Sequence, residues 1–194
     1  MDIRLHIEEG ARLAVCSVAV SVCLPSRARA PSQAALRAEV AGGSRLEIML
    51  EPTVVAAGAE HHARTEIALA GDARLRVTER VVLGRYGEEP GRWIGTTRVE
   101  RNGRPLLHTT VELGPGSPMW RSPTTGRAYA TDLLLDPALP VPEAEAVCRT
   151  GPAAIQLPLP GGWVTTAWGD QLGQVFGGNQ INQPSARLRP PVLR

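Results

Sequence analysis

The chain has 194 residues, enough for one domain with a real core and too few to make two ordinary domains. Hydrophobic residues reach 43% but aromatics only 4%, and 20 Gly with 17 Pro favour short strands and turns over long helices. All basic residues are arginine, and a formal charge of +2 is too small and dispersed to argue for nucleic acid or a membrane surface as partner.

From the N-terminus, Ile3, Leu5 and Ile7 alternate with polar residues, which predicts a half-buried strand ahead of the turn Glu9-Gly10-Ala11-Arg12-Leu13. The apolar run from Ala14 to Leu24 is far short of a membrane span. Ala28-Arg29-Ala30 resembles a signal-peptidase site, but Asp2, Glu8 and Glu9 offset the positive leader that export needs.

The strand-turn pattern then recurs. Leu36, Ala38 and Val40 precede Gly42-Gly43-Ser44-Arg45-Leu46, and Thr65, Ile67 and Leu69 precede Gly71-Asp72-Ala73-Arg74-Leu75. A fourth copy places Val99 before Asn102-Gly103-Arg104-Pro105-Leu106-Leu107. The equivalent leucines Leu13, Leu46, Leu75 and Leu107 are separated by 33, 29 and 32 residues, which is repeat spacing. Gly and Asn-Gly supply the positive φ of hairpin turns, and single hairpins are marginal in water, so the units must stack. The expectation is an all-β, elongated, solenoid-like stack of hairpin repeats with one or two short helices.

Further along, the Pro/Gly-rich stretches Gly114 to Pro123 and Pro158 to Gly162 predict turns or irregular connections. Pro142 to Cys148 suits a short helix, with Pro in its first turn and early glutamates. Residues 1–176 are expected to form a single β domain, followed by a disordered basic tail over 177–194.

Motifs for catalysis are scarce. A chain without lysine has no Walker A loop, and Gly-x-Ser-x-Gly and His-Glu-x-x-His are absent. Three cysteines without CxxC spacing suggest neither a disulfide framework nor structural zinc, and fit a reducing cytosol. Cys16 and Cys23, seven apart, fall on opposite faces of one extended strand and read as buried small hydrophobes. Glu60-His61-His62 is the one obvious cluster with metal-ligand chemistry; it reads as a solvated loop before a strand at Ala63 to Leu69, where His61 and His62 could touch a metal transiently. On a strand the two rings would point to opposite faces and could not share an ion. His6 and His108 are expected on the solvated face. Glu51, before Pro52, and Glu79, inside Val77 to Arg85, interrupt apolar pattern; each must be solvated, paired or functional, and Arg85 is the expected partner of Glu79.

Several blocks carry a family resemblance. LEIMLEPTVVAAG at Leu46 to Gly58, ARTEIAL at Ala63 to Leu69 and ERVVLGR at Glu79 to Arg85 look like central blocks of the urease accessory protein UreD family. GEEPGRW at Gly87 to Trp93, VERNGRPLL at Val99 to Leu107 and LPLPGGWVTTAWG at Leu157 to Gly169 continue it in the same order. The resemblance implies a cytoplasmic, non-enzymatic β-helical scaffold that binds a UreF-like protein, which recruits a UreG-like GTPase. That assembly docks on apo-urease and delivers nickel, which the scaffold holds only transiently; no cofactor is tightly bound. Carried onto matching positions, Glu79, Gly84 and Arg85, with Glu51 behind them, are the expected partner-binding or ion-passage residues. Members of the family usually begin with further strands, so an exposed edge and poor solubility alone are expected here. The alternative reading is an unrelated β-solenoid or sandwich module, for instance one binding carbohydrate through Trp93, Trp120, Trp163 and Trp168.

Overall fold

The structure is a computed structural model that describes residues 1–28, 30–118, 126–139 and 153–177. The strands are β1 (Asp2–Ile7), β2 (Arg12–Cys16), β3 (Ser21–Cys23), β4 (Ser32–Val40), β5 (Arg45–Met49), β6 (Thr53–Val55) and β7 (Glu60–Leu69). They continue with β8 (Arg74–Leu83), β9 (Arg92–Arg101), β10 (Arg104–Leu113), β11 (Ala128–Leu135), β12 (Ala153–Leu159) and β13 (Gly162–Gly169). One short helix, α1 (Leu172–Gly177), follows; the helix expected at Pro142 to Cys148 lies outside the described residues.

These strands build a β-solenoid of about three turns, nearly all sheet. One sheet runs β1-β4-β7-β9-β10; the other runs β12-β13-β11-β8-β5-β2, with β3 and β6 alongside. Within the first, β1, β4, β7 and β9 are parallel, and in the second β2, β5 and β8 are parallel. Each layer therefore places one strand in each sheet and hydrogen-bonds to the layer before it.

The glycine turns divide into two kinds. The turns over 8–11, 41–44 and 70–73 are four residues long and carry the chain from one sheet to the other, so they are corners rather than the expected hairpin loops. Asn102-Gly103, two residues with φ of 51° and 72°, instead closes a true antiparallel hairpin between β9 and β10, as the two residues Pro160-Gly161 do between β12 and β13. The corners are stitched to one another. The Gly43 amide donates to Asp72 Oδ1 at 2.6 Å, and the Gly71 amide to Asn102 Oδ1 at 2.9 Å.

The layers are not identical. Cys16, Met49 and Thr78 are in register, as are Ser21, Thr53 and Val81. Between these fixed points lie four residues in the first layer (17–20), three in the second (50–52) and two in the third (79–80). The extra residues leave the ladder as bulges. Pro52 falls in one of them, at the kind of site that tolerates a missing amide.

Alternation packs the lumen. Ile67, Leu69, Leu75, Val77, Val99, Leu133 and Leu135 belong to one large apolar cluster, and Val55, Val81, Leu83, Trp93, Leu113 and Tyr129 to a second. A third, of Ala128, Ala130, Ala167 and Val175, lies where α1 covers the outer face of the second sheet. Five of the exposed large hydrophobic residues, Leu13, Val18, Val20, Val22 and Leu24, lie in the layer of β2 and β3, whose strands pair on one side only.

Candidate functional site

Between the two lumen clusters the inward positions turn polar. On β8, Leu75, Val77, Val81 and Leu83 are buried, and Glu79 occupies the inward position between them. It pairs in register with Thr131 on β11, which pairs with Thr166 on β13. In the facing sheet, Thr65 of β7 pairs with Thr97 of β9, which pairs with Thr109 of β10. Each of these threonines lies on the inward side of an alternating strand, between residues of the two apolar clusters. Five threonines and one carboxyl thus form a hydrophilic seam across the lumen. None of the six is fully buried, so solvent reaches the seam.

Electrostatics follow from that placement. Removal from bulk water disfavours the charged form of Glu79, and its carboxyl is pushed up to about 7 even though the residue keeps partial exposure. Tyr129 borders the seam; burial first, then the negative charge of Glu79, push its phenol up, while hydrogen bonds with Thr166 and Thr131 oppose the shift. A carboxyl that titrates near neutrality amid neutral hydroxyls can hold a proton or a cation and exchange one for the other.

The other expected site residues sit around this seam rather than in it. Glu51 lies in the three-residue bulge of the second layer, opposite Glu79-Arg80, with its amide bonded to Ser17 Oγ at 2.8 Å. Gly84 directly follows β8 with φ of 80°, a conformation that residues with a side chain disfavour, and its amide donates to the Val55 carbonyl at 2.7 Å. Arg85 does not pair with Glu79. It is exposed on the loop after Gly84 and pairs with Glu88, its Nε donating to Oε1 at 2.8 Å, which holds the Glu88 carboxyl down at about 2. The Arg127 guanidinium also donates to the Glu88 carbonyl at 2.6 Å, and Tyr86 projects fully into solvent from the same loop.

The histidine cluster is not a loop. Glu60, His61 and His62 are the first residues of β7, because in-register pairing with β4 and β9 extends that strand to residue 60. His61 points inward and is 7% exposed; His62 points outward and bonds Glu60 at 2.7 Å. Their rings lie on opposite faces, so the two do not converge on one ion, and no group of three metal-binding side chains exists among the described residues. Cys16 and Cys23 are on separate strands, one exposed and one half-buried, since the bulge over 17–20 interrupts the extended run. His6 and His108 are on the outer face as expected, within a lattice of ion pairs that includes Arg37–Asp2 at 3.0 Å and Arg37–Glu66 at 3.1 Å. Trp93 is 1% exposed and serves as core, which removes it from any sugar-stacking surface.

The seam threonines escaped sequence reading, although the signal was present. In each of the five strands a threonine takes an inward slot where the alternation calls for an apolar residue.

Residues 1–176 match the family model described as UreD urease accessory protein. The chain is 38% identical over 181 residues to the urease accessory protein UreD of Frankia alni, covering 82% of this chain and 61% of that protein. It is 37% identical over 195 residues to the Parafrankia protein of the same name (89% and 66%), and 32% identical over 176 residues to that of Streptomyces coelicolor (88% and 69%). The chain thus spans about two thirds or less of the length of the first two relatives.

Proposed function

The chain belongs to the UreD family of urease accessory proteins, and on that footing we propose that it is a non-catalytic scaffold for loading nickel into urease. In this reading it acts in a complex with a UreF-like protein and a UreG-like GTPase that docks on apo-urease in the cytoplasm. Among the described residues no helix is long and apolar enough to cross a membrane.

The observation that carries the mechanism is the hydrophilic seam. An apolar lumen would bar a hydrated cation, because stripping its water without replacement ligands is prohibitive. Glu79 with Thr65, Thr97, Thr109, Thr131 and Thr166 offers oxygen donors in place of that water, and a carboxyl near neutrality releases its proton when a cation arrives. Glu79 is then the ion-passage residue, and Glu51 lies in the neighbouring layer. Gly84 and Arg85 shape and present the loop bearing Tyr86, a combination of arginine and tyrosine that suits a protein-binding tip.

Co-expression with the UreF-like protein, pull-down and size-exclusion chromatography at low micromolar concentration test the scaffold. Co-elution supports it, and a folded chain that stays alone overturns it. The passage is tested with Glu79→Gln in a urease activation assay. Retained complex with lost activation is the expected result; unchanged activation would remove Glu79 from the path.

A further inference from the structure

The two sheets end unevenly. Beyond the three layers the first sheet finishes with β9-β10 and the second with β11-β13-β12, so the second is one strand longer. β9 lies across from β11, where Trp93 meets Tyr129, and β10 follows across from β13, which leaves β12 with no strand opposite it. In-register pairing puts Ile155, Leu157 and Leu159 on the lumen side of β12, beside Thr166, Val164 and Gly162 of β13. Val164 is buried, whereas Leu157 is 49% exposed; among the described residues it is the one exposed large aliphatic side chain outside the first layer.

Each sheet also ends here in a strand with a free side. Among the described residues β10 pairs only with β9, and β12 only with β13. Edge strands are commonly guarded by charge or by bulges, but β12 (AAIQLPL) has neither a charged residue nor a bulge, and only Pro158 interrupts its donors. On β10 the proline, Pro105, and the bulge beside it lie at the same end of the stack as Pro158, next to the corner turns, so the rest of both edges is open. The ladders also fix direction: β12 runs with β9 and β11, and β10 runs against them.

We propose that a second copy of this chain fills the gap, in a two-fold contact where β12 of each copy pairs with β10 of the other. A two-fold axis midway between the sheets and parallel to the strands exchanges the sheets and preserves strand direction. Each β12 thus enters antiparallel to the other copy's β10, and the overhang of one copy becomes the missing strand of the other. Such an axis allows no shift along the strands. Thr109 and Thr166 lie in the same seam and Ile155 pairs with Thr166, so Thr109 meets Ile155 of the second copy and Leu107 meets Leu157. The uncovered leucines come together, and Ala154 and Gln156, the outward residues of β12, bring no like charge to His108 or Glu112. Two new ladders and two facing strands, each about 23 Å long, bury on the order of 1,000 Å² in total, near the lower limit of a specific interface. The dimer is therefore one that forms and parts with concentration. It stands on the strand order and register, and is independent of the scaffold reading.

The test is sedimentation equilibrium of the full chain from low to high micromolar concentration. Wild type should pass from monomer to dimer. Leu157→Arg sets a charge in the gap and should weaken dimerisation by at least about tenfold, while Val18→Arg, on the exposed bulge of the first layer, should leave it unchanged. Should Leu157→Arg fail to fold by circular dichroism, the double variant His108→Cys/Gln156→Cys is oxidised mildly and its disulfides are mapped by mass spectrometry. Within one copy these positions lie on the outer faces of opposite sheets, so a link between 108 and 156 joins two copies, and that link is expected. Wild type that stays monomeric, folded Leu157→Arg that dimerises as well as wild type, a dimer lost only on Val18→Arg, or a dimer without the 108–156 link overturns the contact. Monomeric wild type that binds the UreF-like protein only while Leu157 is intact would give the gap to a partner's strand, and overturns it too.

Discussion

Trp93 and Tyr129 meet across the lumen with ring centroids 5.4 Å apart and planes tilted by 40°. One belongs to β9 and the other to β11, so the pair joins the two sheets at the cluster bordering the seam. Trp93→Ala should cost about 3–5 kcal/mol, the range for deleting a large buried aromatic side chain. Urea denaturation with an unchanged slope is the check; a loss below about 1 kcal/mol would mean that the sheets are held together elsewhere.

Gly95 should tolerate no side chain while Trp93 is present. A Cβ there would fall 2.0 Å from the Trp93 ring, which lies across it. Gly95→Ala should destabilise by about 1–3 kcal/mol. In a Trp93→Leu background the added cost of Gly95→Ala should shrink, and a double-mutant cycle reads the difference.

Gly84→Ala should loosen the Arg85–Glu88 loop. The position combines a φ of 80° with the Glu89 carbonyl 2.8 Å from where a Cβ would stand, and such strain costs about 1–3 kcal/mol. Arg85→Ala, by contrast, removes an exposed, solvent-screened pair and should leave the melting temperature close to that of the wild type. Thermal melts of the two variants separate these outcomes, and pull-down with the UreF-like protein shows whether the loop tip also binds.

Stability should fall as pH rises through neutrality. The Glu79 carboxyl has an ordinary value of 4.5 and reaches about 7 in the folded chain, so the folded state holds its proton more tightly. That contribution is fully present below about 4.5, is lost as pH rises through about 7, and amounts to about 1–3 kcal/mol after allowance for partial exposure. Glu79→Gln should flatten this slope and be the more stable protein at pH 8. Parallel pH profiles of wild type and variant would refute the assignment.

Asp72→Ala should open the corner between the second and third layers. Asp72 Oδ1 accepts from the Gly43 amide at 2.6 Å. Losing that bond should cost about 1–2 kcal/mol, with faster amide exchange at Gly43 than at Gly71, which Asn102 still holds.

The repeat was legible because leucines mark it, and three of the four do stack: Leu13, Leu46 and Leu75 are in register. Leu107 breaks the series, pairing with Val99 across a hairpin. The difference lies in turn length, since two residues reverse a strand within its sheet while four reach the opposite sheet. Recurrence of a glycine turn followed by arginine and leucine does not record that distinction. Glu79 was visible as a charge within an apolar run, but its partner was not: Arg85 lies beyond the Gly84 turn, which carries it out to Glu88. Ser32 and His61, whose side chains bond at 2.8 Å, come from two successive layers, and no local pattern could have joined them. Their meeting depends on the parallel register of β4 on β7.

The stepwise shortening of the interval opposite Glu79-Arg80, from four residues to three to two, gives every layer its own address. A strict repeat can slip by one unit, or lose or gain a unit, and still fit. This stack cannot, because a layer moved to its neighbour's place would bring the wrong path length to the bulge and carry the following strand out of step with the lumen. The same irregularity that blurs the repeat in the sequence keeps the seam in a single position.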